Sequence, residues 1–185
     1  MTGVQDLTYP LASLLAEPPG SGVEYAIAGA MIQLDEGLHL AAPIDGDLRI
    51  ARTNRGVLVH VRFRTALEGD CARCLGTTVT PLRLAIHEEV LPSIDLLSGQ
   101  EIDRSVEPEV ARLTEHHELQ LEPLLREAVE LAEPIAPLCQ PDCPGLCVDC
   151  GERLGADHRP HDGESIDPRF AALEGFRVDG EAENG

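Results

Sequence analysis

Cys139-Gln140-Pro141-Asp142-Cys143-Pro144-Gly145-Leu146-Cys147-Val148-Asp149-Cys150-Gly151 holds four of the six cysteines in a chain of 185 residues. The other two, Cys71 and Cys74, form a Cys-x-x-Cys pair far upstream, and His158 and His161 follow the cluster at the same spacing. A Cys-x-x-Cys turn lets two thiolates reach one ion from a tight loop, which is half of a tetrahedral zinc site. The pairs Cys71/Cys74, Cys139/Cys143, Cys147/Cys150 and His158/His161 are four such halves, enough for two zinc ions. Gly151 relieves the backbone where it folds back under the metal. The spacing leaves the pairing open. Cys71, Cys74, Cys139 and Cys143 can share one ion while Cys147, Cys150, His158 and His161 share another. Alternatively the two Cys-x-x-Cys turns face each other, or Cys139, Cys143, Cys147 and Cys150 form one compact site.

Outward from the cluster, residues 121, 124, 125, 128, 129 and 132 are Leu, Leu, Leu, Ala, Val and Ala. That spacing predicts an amphipathic helix near 121–133, with Pro123 in its first turn and Pro134 and Pro137 stopping it. Residues 92–117 are polar and acidic and predict a mobile loop, with His116 and His117 solvated. Further upstream, Leu48 and Ile50, then Val57, Val59, Val61 and Phe63, alternate with polar residues around Thr53-Asn54-Arg55-Gly56. This is a hairpin signal, and period-two alternation implies an antiparallel sheet with one covered face. Residues 77–91 resume it through Val79, Leu82, Leu84 and Ile86, so Cys71 and Cys74 fall in a turn between strands. Shorter strands are expected at 23–30 and 38–42, with a lead-in over 7–19 carrying Leu7, Leu11, Leu14 and Leu15. Downstream, Asp167-Pro168-Arg169 opens a short helix with Phe170 and Leu173 on one side, Asp167 capping it.

The reading is an α+β fold: an antiparallel β-sheet or partial barrel with one packed helix and a zinc-bound C-terminal region. Residues 1–138 form the β-rich core, 139–176 the cysteine/histidine segment with its terminal helix, and 177–185 a disordered tail. Apolar residues are 43% and aromatic residues 3%, with no Trp, so the core rests on aliphatic side chains. The net charge of −19 repels nucleic-acid phosphate over most of the surface and suits basic partners. Direct RNA binding would need a local basic patch, for which Arg49, Arg52, Arg55, Arg62 and Arg64 are the candidates; the preferred reading of these residues is solvated strand faces.

No apolar run approaches the ~20 residues that cross a bilayer. The start of the chain lacks the basic and apolar regions of a signal peptide, so a cytoplasmic location is expected. There thiols stay reduced, and clustered cysteines favour metal over disulfide. Thiol-redox chemistry would place Cys-x-x-Cys where a strand enters a helix in a βαβ unit, and no such unit is predicted. Glu152, Asp157 and Asp162 could serve a catalytic zinc as bases, but four ligands fill the coordination sphere. No catalytic residue is assigned.

Three stretches together resemble the YceD family of large ribosomal RNA subunit accumulation proteins. They are Asp70-Cys71-Ala72-Arg73-Cys74-Leu75; Pro137-Leu138-Cys139 through Cys150-Gly151 and Leu154; and Asp167-Pro168-Arg169-Phe170 through Leu173. The proline-ended helix over 121–134 is similar as well. The resemblance implies a non-catalytic factor that supports accumulation or processing of large-subunit ribosomal RNA. Its implied partners are a pre-large-subunit ribosomal particle, ribosomal RNA or a basic ribosomal protein. Shorter relatives keep the first Cys-x-x-Cys and a Cys/His pair after the helix, which favours Cys71, Cys74, Cys139 and Cys143 as one site. Longer relatives often carry cysteines where this chain has His158 and His161.

Overall fold

The computed structural model describes residues 6–35, 37–95, 97–103, 105, 107–155, 157–159, 161, 169 and 170. Its elements in chain order are β1 (Thr8–Pro10), α1 (Ala12–Leu15), β2 (Gly22–Ala30), β3 (His39–Arg52), β4 (Val57–Asp70), β5 (Thr77–Val90), β6 (Glu118–Gln120) and α2 (Glu122–Leu131). Antiparallel sheet dominates and helices are few. Strands β2-β3-β4-β5 form one sheet in that order, and β1 pairs with β6 in a second. Strands β2 and β5 are not paired with each other, so the four-stranded sheet is open rather than a closed barrel. The chain divides into two compact units, Met1–Cys143 and Pro144–Gly185.

The predicted hairpin is β3–β4, with Arg52 opposite Val57. Its turn is closed by the Thr53 N–H donating to the Gly56 carbonyl at 2.9 Å. Leu48, Ile50, Val57, Val59, Val61 and Phe63 are all buried, which places one parity of both strands on the covered face. Burying each such side chain stabilises by roughly 1.5–3 kcal/mol.

The strands expected at 38–42 and 48–53 are one bent strand, β3, whose register slips between Leu40 and Ala42 and again between Ala42 and Asp45. Pro43 lies in that irregular stretch, where no ladder N–H is required of it. Gly46 beyond it is a forced choice. A Cβ there would stand 2.1 Å from the Arg62 carbonyl oxygen and 2.7 Å from Phe63 Cα. Val79 departs from its expected face. It is 55% exposed while Ile86 is buried, because odd positions of β5 face away from the core.

Against the covered face pack Leu11, Leu14 and Leu15 around α1, Leu119 of β6, and Leu121, Leu125 and Val129 of α2. The last three are fully buried one turn apart, and Leu124 and Ala128 flank them half-buried, as helical spacing requires. Leu121 caps α2 without a side-chain bond, and proline occupies its first turn. Arg126 ties the helix down by donating to the Gln33 carbonyl at 2.7 Å, and it also donates within the helix to Glu122 at 2.6 Å.

The stretch 92–117 is anchored rather than free-standing loop. Leu113 and Ser93 are buried, the Ser93 hydroxyl donates to the Leu113 carbonyl at 2.6 Å, and Leu113 N–H reaches Leu91. One buried leucine and one buried serine give no period, which is why the sequence conceals them. His116 is exposed, but His117 is half-buried at φ 58°, and its carbonyl accepts the Leu11 N–H at 2.9 Å. The helix expected from Asp167 and the tail 177–185 lie outside the described residues, apart from Arg169 and Phe170.

Candidate metal centres

The first centre is built where β4 turns into β5. Strand pairing runs to Asp70 opposite Thr77, leaving Cys71 and Cys74 in the connecting turn. Cys71 N–H donates to the Gly76 carbonyl at 2.8 Å and Leu75 N–H to the Cys71 carbonyl at 2.9 Å. This geometry puts Leu75 in the left-handed region at φ 54°, which strains a residue with a Cβ.

After α2, the segment carrying Cys139 and Cys143 is laid along that turn by backbone contacts. Ala72 N–H donates to the Pro137 carbonyl at 2.8 Å, and the Thr78 hydroxyl to the Leu138 carbonyl at 3.3 Å. Arg73 donates to the Cys143 carbonyl at 3.0 Å. The sulfurs of Cys71 and Cys143 then lie 3.7 Å apart, as do those of Cys74 and Cys139. Cys71, Cys74 and Cys143 are buried and Cys139 is exposed.

The second centre repeats the turn within Pro144–Gly185. Cys147 N–H donates to the Glu152 carbonyl at 2.7 Å, and Gly151 N–H to the Cys147 carbonyl at 2.9 Å. Gly151, at φ 73°, holds the position Leu75 holds in the first turn, here without strain. A short antiparallel bridge of Leu146 with Arg153 closes the loop. Cys150 Sγ lies 3.4 Å from His158 Nε2, and the His158 and His161 rings are 5.2 Å apart at their centres.

All eight expected ligands are therefore gathered as two sets of four. One is Cys71, Cys74, Cys139 and Cys143; the other is Cys147, Cys150, His158 and His161. Within each set the donor atoms lie within 4.8 Å of one another. The six cysteines are free thiols. Around a tetrahedral zinc with Zn–S about 2.3 Å and Zn–N about 2.0–2.1 Å, neighbouring sulfurs sit about 3.8 Å apart and a sulfur and nitrogen about 3.6 Å. The observed spacings match, so both clusters could hold a metal ion and are compatible with zinc.

The protonation chemistry agrees. Backbone N–H groups of Cys139, Cys74 and Arg73 directed at the Cys71 sulfur lower its pKa to about 6, against the opposing effect of burial. Cys139 is pushed up to about 12 by its hydrogen bond with Cys143, by burial, and by the sulfurs of Cys74 and Cys71. In the second set, N–H groups of Cys150 and Asp149 lower the Cys147 thiol. For Cys150 the Glu152 N–H favours the thiolate. Burial, the Cys147 sulfur and the Glu152 carboxylate outweigh it and raise the thiol. In each set one sulfur ionises readily and the next resists, because two thiolates at this distance repel. A divalent cation bound at the centre would supply the missing positive charge and displace the protons.

Comparison with known proteins adds the family. The family model described as large ribosomal RNA subunit accumulation protein YceD matches residues 59–177, which include every one of the eight donors. The chain belongs to the YceD family. An uncharacterized protein of Mycobacterium tuberculosis and one of Mycobacterium bovis are each 36% identical over 143 residues, covering 77% of this chain and 64% of theirs. An uncharacterized protein of Mycobacterium leprae is 32% identical over 136 residues, covering 71% of this chain and 58% of its own. The chain thus spans about three-fifths of the length of these relatives. No solved structure matches.

Sequence reasoning missed what surrounds the donors: the strained Leu75, and the Pro137 and Leu138 carbonyls that align the two halves. Arg52 and Arg55, read from the sequence as solvated strand residues or candidates for a basic patch, are neither. Arg52 instead donates to the carbonyls of Leu15, Thr53 and Gly56, and Arg55 pairs with Glu107. Among the described residues no helix is long and apolar enough to cross a membrane.

Proposed function

We propose that this YceD-family chain is a non-catalytic factor in large ribosomal subunit biogenesis, supporting the accumulation or processing of large-subunit ribosomal RNA. It works in the cytoplasm on a pre-large-subunit particle, through ribosomal RNA or a basic ribosomal protein. Cys71, Cys74, Cys139 and Cys143 hold one structural zinc ion, and Cys147, Cys150, His158 and His161 hold a second. The first ion cross-links the β-rich core over 1–138 to Cys139 and Cys143 at the start of the zinc-binding segment over 139–176, and the second orders that segment locally. Zinc supplies coordination only, and the chain's own residues position the ligands.

The observation that carries this reading is that each cluster offers four protein donors within 4.8 Å of one another, within a family match that spans both. Four ligands leave no open position for a reacting water. The lowered thiols of Cys71 and Cys147 favour a thiol-redox role. Against it, both are buried, Cys71 with no exposed surface, and a reactive cysteine needs access.

Two measurements test the proposal. Tagged protein should co-sediment with pre-large-subunit particles, and a deletion strain should lose large-subunit ribosomal RNA. Absence from every ribosomal fraction together with unchanged ribosomal RNA would overturn it.

A further inference from the structure

All fourteen basic residues are arginine; the chain has no lysine. Seven of the fourteen lie between Arg49 and Arg83, against only two carboxylates, Glu68 and Asp70. In a chain of net charge −19 this is a strong local reversal of sign.

The structure separates these arginines by use. Arg52 is bonded to backbone carbonyls, Arg55 to Glu107, and Arg73 to the Cys143 carbonyl. Arg49 lies 3.6 Å from Glu24. Arg62, Arg64 and Arg83 are exposed and have no hydrogen-bond or ion-pair partner among the described residues. All three share the open face of the sheet, since their strand neighbours Val61, Phe63 and Leu84 pack into or against the core.

Strand register fixes how they sit. Arg64 stands directly opposite Arg83, and Arg62 opposite Ala85. One row along, His60 faces His87, with ring centres 4.5 Å apart. Like charges directly opposite each other destabilise a sheet, so the Arg64–Arg83 pair works against the fold. On the β3 side, Asp45 faces Arg64 and Asp47 faces Arg62. Asp45 is engaged by the Gly29 N–H at 2.9 Å. That bond leaves the Asp45 charge in place, so Asp45 and Asp47 offset part of the charge on the β3 side, and the arginines gather over β4 and β5, where Arg64 and Arg83 stand together.

We propose that this open face, at Arg62, Arg64 and Arg83, docks the protein on RNA through the phosphate backbone; the choice of RNA rests on the ribosomal reading above. Guanidinium forks match phosphate oxygens bidentately. Among the described Phe and Tyr residues of the Met1–Cys143 unit none offers a stacking platform: Phe63 and Tyr9 are buried and Tyr25 is half-buried against the core. Recognition is therefore of backbone charge, tolerant of sequence and sensitive to salt. Carboxylates elsewhere repel phosphate, so this face dictates orientation.

The test is anisotropy of a labelled single-stranded RNA and a labelled RNA duplex on the zinc-loaded full chain across a salt series. Three phosphate contacts predict a log–log salt slope of about −2 to −3. The variant R62Q/R64Q/R83Q should bind at least ~10-fold more weakly at low salt and with a flatter slope. The control R55Q/R126Q, away from the open face, should change binding less than ~2-fold, and thermal melts establish that both variants fold. Absence of RNA binding by the wild type, equal binding by the triple variant, or equal competition by polyglutamate overturns the proposal. Co-sedimentation separates the two readings. If the triple variant enters particles as well as the wild type does, the RNA face fails and the ribosomal function stands. If neither enters particles while RNA binding depends on the three arginines, the face stands and the ribosomal function fails.

Discussion

The two thiol turns have the same backbone hydrogen bonds and opposite surroundings. At Cys71 and Cys74 the turn is the end of a hairpin of two fourteen-residue strands, and its partners arrive from 65 and 72 residues away. At Cys147 and Cys150 the turn is nearly self-contained, and its partners lie within the same short unit, the nearest eight residues on. The first set is mostly buried; the second has Cys150 and His161 exposed and His158 half-buried. A metal in the first set would close a long loop and constrain the unfolded chain, whereas one in the second would order only a local segment.

The comparison breaks most visibly at Cys71. Cys71→Ser should remove one of two zinc ions and lower the melting temperature by about 10 °C or more, since a lost structural ligand uncouples the 137–143 segment from the sheet. A melt unchanged within ~2 °C, with two zinc ions still bound, would show that the first cluster is not a structural metal site. Next in size, Cys147→Ser should also release one zinc ion but shift the main transition by less than ~3 °C, because its unit is separate and distant sites act independently. Equal shifts for the two variants would erase the distinction between long-range and local closure.

Chelator should then strip the zinc in two phases, followed with a colorimetric zinc indicator. The exposed set of two cysteines and two histidines should empty before the buried set of four cysteines. A single phase would mean that exposure does not control release. Lowering the pH should favour release at both sites, since protons compete for thiolates and imidazoles. The smallest effect tests the turn itself. Leu75→Gly should stabilise by about 0.5–1 kcal/mol by relieving the left-handed strain at an exposed position, and Gly151→Leu should destabilise its own turn by about 1–2 kcal/mol. Opposite signs confirm that the two turns share one geometry.

What the sequence determined by itself is local. Two-residue spacing between cysteines permits one tight turn. Alternating apolar residues around Thr53-Asn54-Arg55-Gly56 leave one good hairpin. Leucines at helical spacing after Pro123 make one covered helix face. These readings survive because each depends on residues within a few positions of one another.

Only the tertiary structure decided which halves meet. The spacing of Cys139 and Cys143 also permits a tight site with Cys147 and Cys150; it is α2, seated by Leu121, Leu125 and Val129, that delivers them beside Cys71 and Cys74. It also decided which arginines are spent on carbonyls and carboxylates and which stand free. The same packing buried Leu113 and turned Val79 outward. Such outcomes follow from contacts between residues far apart in the chain, and no local period encodes them.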